Sequence, residues 1–362
     1  MEKDPFKEYL LEIEPTKKEL GYSWYTAIGL QKVDGLETSG YLKNIAIKNI
    51  DGDISFNTVE ELIKSYYIEN DNQQSNTEEA DKVAVNIAKI LSEKSFVFSP
   101  RQYLDIHKKL FHNVFPHAGK IRNYNITKKE WVLDGDTVIY GGASLLKETL
   151  EYDFEVEKSF DYSGLNKEEF VAHIAKFISS LWQIHLFSEG NTRTTAVFLI
   201  KYLRKFGYDT KNDIFANNSW YFRNALVRAN YSNIQKGVYE TTKYLEMFLN
   251  NLLYSQKNIL KNRDLHINYT EKVDIESKKV DLNHNKVDID SLKLTSPIRK
   301  NICILYNHLS ELDYFGRSEI IDVLKMSASG ASKLISKLLD LKVIIPVLKH
   351  GKGKYCFNIN GV

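Results

Sequence analysis

The sequence predicts a mainly α-helical protein with one small β-hairpin and a separate compact tail that mixes helices with strands. Three observations carry this. Only 6 of the 362 residues are proline, and apolar residues recur at helical spacing along most of the chain. The one clear change of pattern is short: WVL and TVIY flank Asp134-Gly135-Asp136, and an Asp-Gly pair between apolar runs signals a tight turn. Beyond a polar, repetitive stretch the composition turns basic, which sets the tail apart.

Residues 54–66, 82–94 and 99–113 each read as a helix, as do 168–185, 192–206 and 219–231. Ser99-Pro100 is a start signal, an N-cap candidate followed by proline at the first helical position. Gly207 closes the 192–206 helix. Between Trp131 and Tyr140 the hairpin interrupts this run as a flap. Residues 256–292 contain three tandem seven-residue units from Glu271 to Ser291, EKVDIES, KKVDLNH and NKVDIDS. Their apolar residues sit two apart, which makes a poor heptad seam, so the stretch reads as a polar linker built by local duplication. The tail resumes with a helix over 297–311. Helices over 317–324 and 329–341 follow, joined by Lys325-Met326-Ser327-Ala328, on a helix-turn-helix plan. IIPVL and YCFNI, around the basic turn from His350 to Lys354, complete it as a two-stranded wing.

The composition is that of a globular protein, 43% hydrophobic and 27% charged, and 22 Tyr with 18 Phe supply bulky core material. The length suggests two or three domains. A formal net charge of +2 advertises neither a nucleic-acid nor a membrane partner for the whole chain. The tail from 293 differs, with eleven Lys and Arg against five Asp and Glu, or +6, leaving −4 elsewhere. Cys303 and Cys356 cannot form a disulfide framework. The opening MEKDPFKEYLLEIEP has acids throughout, and no run approaches a membrane span. A cytoplasmic protein without membrane attachment is the expectation.

The densest chemistry lies in His185-Leu186-Phe187-Ser188-Glu189-Gly190-Asn191-Thr192-Arg193-Thr194-Thr195, at the junction of two apolar helices. Gly190-Asn191 opens the second helix, whose first-turn amides lack intrahelical partners and suit an anion, phosphate above all. Arg193 adds a planar cation matched to phosphate oxygens. Glu189 supplies a hard oxygen of the kind wanted by Mg2+ carried on a nucleotide. His185 can act as a general base near neutral pH. Each of these residues has an ordinary structural reading when taken alone. Their concentration in eleven residues points to phosphoryl or nucleotidyl transfer.

HLFSEGNTRT resembles the signature loop of Fic-domain proteins, H-x-F-x-[DE]-G-N-G-R-x-x-R. Ala118-Gly119-Lys120-Ile121-Arg122 and the 131–140 hairpin are similar to the segment before the Fic flap and to the flap itself. The resemblance implies a protein adenylyltransferase that moves AMP from ATP to a Ser, Thr or Tyr hydroxyl of a target protein and releases pyrophosphate. His185 then matches the base, Phe187 the core anchor of the loop, and Glu189 the ligand of Mg2+ bridging the ATP phosphates. Gly190, Asn191 and the Thr192 amide match the anion hole, Arg193 the first phosphate-contacting arginine, and the hairpin the flap that aligns a target segment by strand addition. The domains implied are an N-terminal helical segment over 1–75, a Fic domain over 76–255, the linker over 256–292 and a winged helix over 293–362.

Three departures stand out. Leu186 replaces a common proline, Thr192 a glycine, and Ala196 the second arginine, which removes a contact to the outer phosphate. The donor group is therefore left open. Many Fic proteins also carry an inhibitory helix of pattern [S/T]-x-x-x-E-[G/N]. Two acids are candidates here: Glu69 in Ser65-Tyr66-Tyr67-Ile68-Glu69-Asn70, and Asp34 in the 27–36 stretch, which resembles the small antitoxin partners of Fic toxins. The tail resembles a winged helix. Ser327, Ser329, Ser332, Lys333 and Lys337 on its second helix and Lys352 and Lys354 on its wing suit DNA phosphates and groove edges. Protein docking or homodimer formation is the other use of such a module. The rival to an enzyme is a nucleotide-sensing DNA-binding regulator with a weakened Fic core.

Overall fold

The computed structural model describes residues 15–69, 75–208, 210, 214–268, 296–309, 315–341, 343–347 and 354–358. The chain divides into two compact units, Met1–Thr270 and Glu271–Val362. The heptad-like units from Glu271 to Ser291 lie outside the described residues. No described helix is long and apolar enough to cross a membrane.

In the first unit, α1 (Pro15–Gly29) runs into a 3-10 turn (Leu30–Asp34), followed by α2 (Gly40–Asp51), α3 (Phe56–Glu69) and α4 (Ser75–Ser92). Then come α5 (Pro100–Leu110), α6 (Leu146–Ser159), α7 (Lys167–Ile184), α8 (Asn191–Lys205), α9 (Ile214–Ala229) and α10 (Lys243–Tyr254). Local chemistry sets several of these starts. Ser99 caps α5 by accepting Gln102 N, with Pro100 in the first turn. Asn166 and Glu169 form a reciprocal capping box on α7. Helix α8 is the axis of the unit, buried at every residue from Asn191 to Leu203, and it packs on α4, α5 and α7.

The N-terminal helices, expected as a segment of their own, share this core. Helix α1 lies along α4 and α9. Gly29 meets Ala216 so closely that a Cβ would fall 2.3 Å from the Ala216 Cα. Asp81 of α4 accepts from Ser39 N (2.8 Å) and from the Tyr67 hydroxyl (2.8 Å), which ties the start of α2 and the end of α3 to one carboxylate.

Two expectations change. Between Trp131 and Tyr140 the Asp-Gly turn forms, with positive φ at Asp134 (57°) and Gly135 (82°) and Asp136 N bonded to Leu133 O at 3.2 Å. The hairpin strands do not form. Trp131–Leu133 is a 3-10 turn, because Val132 and Leu133 are both drawn fully into the core and extended pairing would alternate them. Residues 256–268, expected as linker, are packed: Leu265 is buried, Ile267 N bonds Val132 O at 3.0 Å and Asn268 Nδ2 bonds Asp134 Oδ2 at 3.3 Å.

The second unit contains α11 (Ser296–Leu309), β1 (Phe315–Gly316), α12 (Arg317–Leu324), α13 (Ala328–Asp340), β2 (Ile344–Pro346) and β3 (Lys354–Phe357). The strands form an antiparallel sheet in the order β1-β3-β2, one strand more than expected. Ile302, Leu305, Phe315, Ile320, Leu338 and Ile344 form its core.

Candidate active site

His185 ends α7 in the left-handed conformation (φ 50°, ψ 57°), its N–H donated to Trp182 O. Such a backbone costs a non-glycine residue on the order of 1–3 kcal/mol and persists only where its surroundings impose it. Arg122 does much of the imposing. Its Nε donates to His185 O at 2.7 Å and its Nη2 to Gly141 O at 2.5 Å, while its backbone N–H bonds Leu186 O at 3.1 Å. The Ala118–Arg122 segment thus staples the loop to the base of the flap. The His185 ring is 3% exposed, and neither ring nitrogen has a hydrogen-bond partner. Burial, then the charges of Lys128, Arg223 and Arg122, push its pKa well below the ordinary histidine value. The imidazole is therefore neutral, with a lone pair available, at neutral pH.

The loop folds on its own side chains. Asn191 Oδ1 accepts Phe187 N at 2.9 Å and its Nδ2 donates to Phe187 O at 2.7 Å. Its amide is thereby committed to closing the loop, so only its backbone N–H is left to an anion. Phe187 is fully buried and stacks on His107 with centroids 3.6 Å apart. Gly119 N donates to His107 Nδ1 at 2.8 Å, which places the His107 proton on Nε2, 3.0 Å from Glu189 O. Burial lowers the His107 pKa to about 3, so it holds this neutral tautomer. Gly190 has φ +76°, and a Cβ there would lie 2.2 Å from Phe111 Cζ. Thr192 is buried and its hydroxyl accepts Trp182 Nε1 at 3.0 Å.

Glu189 points outward, its side chain 58% exposed, with Lys128 Nζ 3.3 Å from one oxygen. Among the described residues no group of three or more His, Cys, Asp or Glu is placed to hold a metal. A single exposed carboxylate suits Mg2+ that keeps waters and phosphates as its other ligands.

Arg193 is directed elsewhere. It is 2% exposed, with Nη1 donating to Gln31 Oε1 (3.0 Å), Nη2 to Glu79 Oε1 (2.7 Å) and Nε ion-paired with Asp34 Oδ2 at 2.7 Å outside hydrogen-bond geometry. Its guanidinium also lies over Phe111, 4.9 Å from the ring centroid. Of the two acids singled out in the sequence, Asp34 meets Arg193, whereas Glu69 ends α3 exposed. Ala196 is fully buried in α8.

Residues 97–203 match the Fic/DOC family. The matched stretch runs from just before α5 into the last turn of α8 and contains the whole loop from His185 to Thr195. The chain is 32% identical over 103 residues to "Protein adenylyltransferase VbhT" of Bartonella schoenbuchensis, a stretch that makes up 28% of this chain and 20% of that protein. The chain therefore spans about a fifth of that relative's length. Among solved structures, a Fic family protein from Desulfovibrio desulfuricans G20 aligns over 97% of this chain and 98% of its own, at 10% identity and a TM-score of 0.39.

The neighbours that shape this site carry no signal in the sequence. Gln31 and Glu79 on Arg193, His107 beneath Phe187 and Lys128 beside Glu189 come from distant stretches without motif spacing. So does Glu130, which accepts the Tyr140 hydroxyl (3.1 Å) and Arg223 Nη2 (3.0 Å). In the second unit Lys333 and Lys337 are exposed on α13. Lys354 Nζ lies 3.4 Å from Glu319, and Ser327 is spent as the α13 N-cap, accepting Gly330 N. The Ser329 side chain and Lys352 lie outside the described residues.

Proposed function

We propose that the first unit is a protein adenylyltransferase that transfers AMP from ATP to a Ser, Thr or Tyr hydroxyl of a target protein. One observation carries the reading: His185 is buried, uncharged at neutral pH and unpartnered at both nitrogens, on the loop that opens helix α8. The name of the curated relative agrees with it. His185 takes the hydroxyl proton while the hydroxyl oxygen bonds the α-phosphorus, and the bond from that phosphorus to the bridging oxygen breaks to release pyrophosphate. The amides of Asn191, Thr192 and Arg193 in the first turn of α8 receive phosphate oxygens. Glu189 holds Mg2+, which neutralises phosphate charge when bound. The flap presents the target segment. Purified protein with Mg2+ and ATP labelled at either the α or the γ phosphate tests this. Covalent label from α alone supports AMP transfer, and label from γ alone replaces it with phosphoryl transfer.

Asp34 and Glu79 restrain this site in the proposal, because Arg193 cannot turn to a phosphate while it is held between them. A second reading is favoured by the same contacts together with Ala196: a core that binds nucleotide without turnover and reports it through the second unit. The order helix, strand, two helices, two strands in that unit supports a winged helix, and exposed Lys333 and Lys337 support DNA phosphates as its ligand. Calorimetry with ATP and ADP beside the transfer assay separates the two readings.

A further inference from the structure

Histidine bases are commonly oriented by a hydrogen bond from one ring nitrogen to a third group, yet both nitrogens of His185 lack one. Its ring is held instead within a triangle of aromatic contacts. The Tyr140 centroid lies 4.2 Å from it at 45°, and the Trp182 centroid 5.3 Å from it at 85°. Tyr140 and Trp182 themselves meet edge to face at 5.8 Å. Each aromatic wall is pinned at its polar end, outside the triangle. Trp182 Nε1 donates to Thr192 Oγ1 at 3.0 Å. The Tyr140 hydroxyl donates to Glu130 Oε1 at 3.1 Å, and Glu130 is in turn gripped by Arg223, with Nη1 to Oε2 at 2.6 Å. Trp182, Thr192, Tyr140 and Glu130 are all buried, so a lost partner would leave a polar atom stranded rather than hydrated.

We propose that Thr192 and Glu130 are positioning residues for His185, acting through Trp182 and Tyr140, and that this pinned aromatic clamp fixes the imidazole plane while leaving both nitrogens to the reaction. The role of His185 as base rests on the function proposed above; the clamp itself does not. The two walls and the Thr192 pin come from three places in the chain: the end of α7, the base of the flap and the first turn of α8. Movement of the flap or of the phosphate-binding turn is thereby felt at the base.

Thr192→Val removes the acceptor at nearly constant shape, Thr192→Ser restores it, and Tyr140→Phe releases the other wall while leaving Glu130 paired with Arg223. Two readouts are taken on the full chain, each variant first shown to melt cooperatively. In imidazole 1H–15N spectra assigned with His185→Gln, the His185 ring signals should move in Thr192→Val and in Tyr140→Phe and return in Thr192→Ser. In single-turnover transfer from labelled ATP, Thr192→Val should lose about 10- to 100-fold at saturating ATP, the scale of a misplaced reacting group. Its half-saturating ATP should stay within about twofold, because the Thr192 amide is retained. Unmoved ring signals in both single variants, or no recovery in Thr192→Ser, would overturn the clamp. A wild type that transfers nothing would sink the adenylyltransferase reading alone, and the spectra would still decide the clamp.

Discussion

Arg193 shows how far the chemistry of one side chain depends on neighbours remote in sequence. The motif presents it as a phosphate ligand, and the fold surrounds it with Gln31, Asp34 and Glu79. Asp34→Asn should therefore raise the transfer rate several-fold, as measured by initial rates of label incorporation, whereas Glu69→Gln should leave it at the wild-type level. Equal rates for Asp34→Asn and wild type would make the Arg193 contact purely structural. The histidines give a second residue-scale prediction. His107, at about 3, and His185 both titrate below the ordinary histidine value in the folded state because they are buried. The unfolded chain takes up these protons below about pH 6.5 and the folded chain does not. Stability present above that pH is then lost as the pH falls toward the folded values, by about 1.4 kcal/mol per pH unit for each histidine. Denaturant unfolding at pH 7, 6 and 5 should show a shallower decline for His107→Gln than for wild type; identical declines would contradict the His107 assignment. The loop residues themselves were legible in sequence, because glycine, asparagine and a helix start are local signals. Their clamps were not, since no spacing links residue 31, 79 or 130 to residue 193 or 185.

At the scale of elements, turn chemistry was more legible than strand pairing. Asp134 and Gly135 take the positive φ that their pairing announces, but burial of Val132 and Leu133 decides the backbone around them. Helix α1 was not delimited within the N-terminal helical segment expected over 1–75, because residues 23–27, Ser23-Trp24-Tyr25-Thr26-Ala27, are buried on successive positions, which erases the one-faced pattern that reveals a surface helix. Its packing gives a sharp test. A Cβ on Gly29 would sit 2.3 Å from the Ala216 Cα, a backbone atom that cannot step aside. Gly29→Ala should cost about 1–3 kcal/mol as overpacking at the contact of α1 with α9, read as a lowered melting temperature; an unchanged melt would mean that the contact is looser than described. Gly190→Ala combines a left-handed backbone with a clash against the Phe111 ring, and should destabilise by about 2–4 kcal/mol.

For the whole molecule, the composition changes near residue 293, whereas the structure divides the chain after Thr270. The junction itself was misplaced, because residues 256–268 are polar enough to read as linker while Leu265 and the backbone of Ile267 engage the core. A chain ending at 270 should melt cooperatively, and one ending at Lys257 should melt lower, with loss of Leu265 burial alone removing about 1.5–3 kcal/mol. Indistinguishable melts would return 258–268 to the linker.

The central claim, that His185 drives AMP transfer onto protein hydroxyls, meets its most direct test in mass spectrometry of proteins recovered after expression of the wild type and of His185→Ala. The account predicts AMP-bearing Ser, Thr or Tyr peptides with the wild type and none with His185→Ala. Absence of such peptides with a wild type that is folded and binds ATP, or equal modification by both forms, would contradict it.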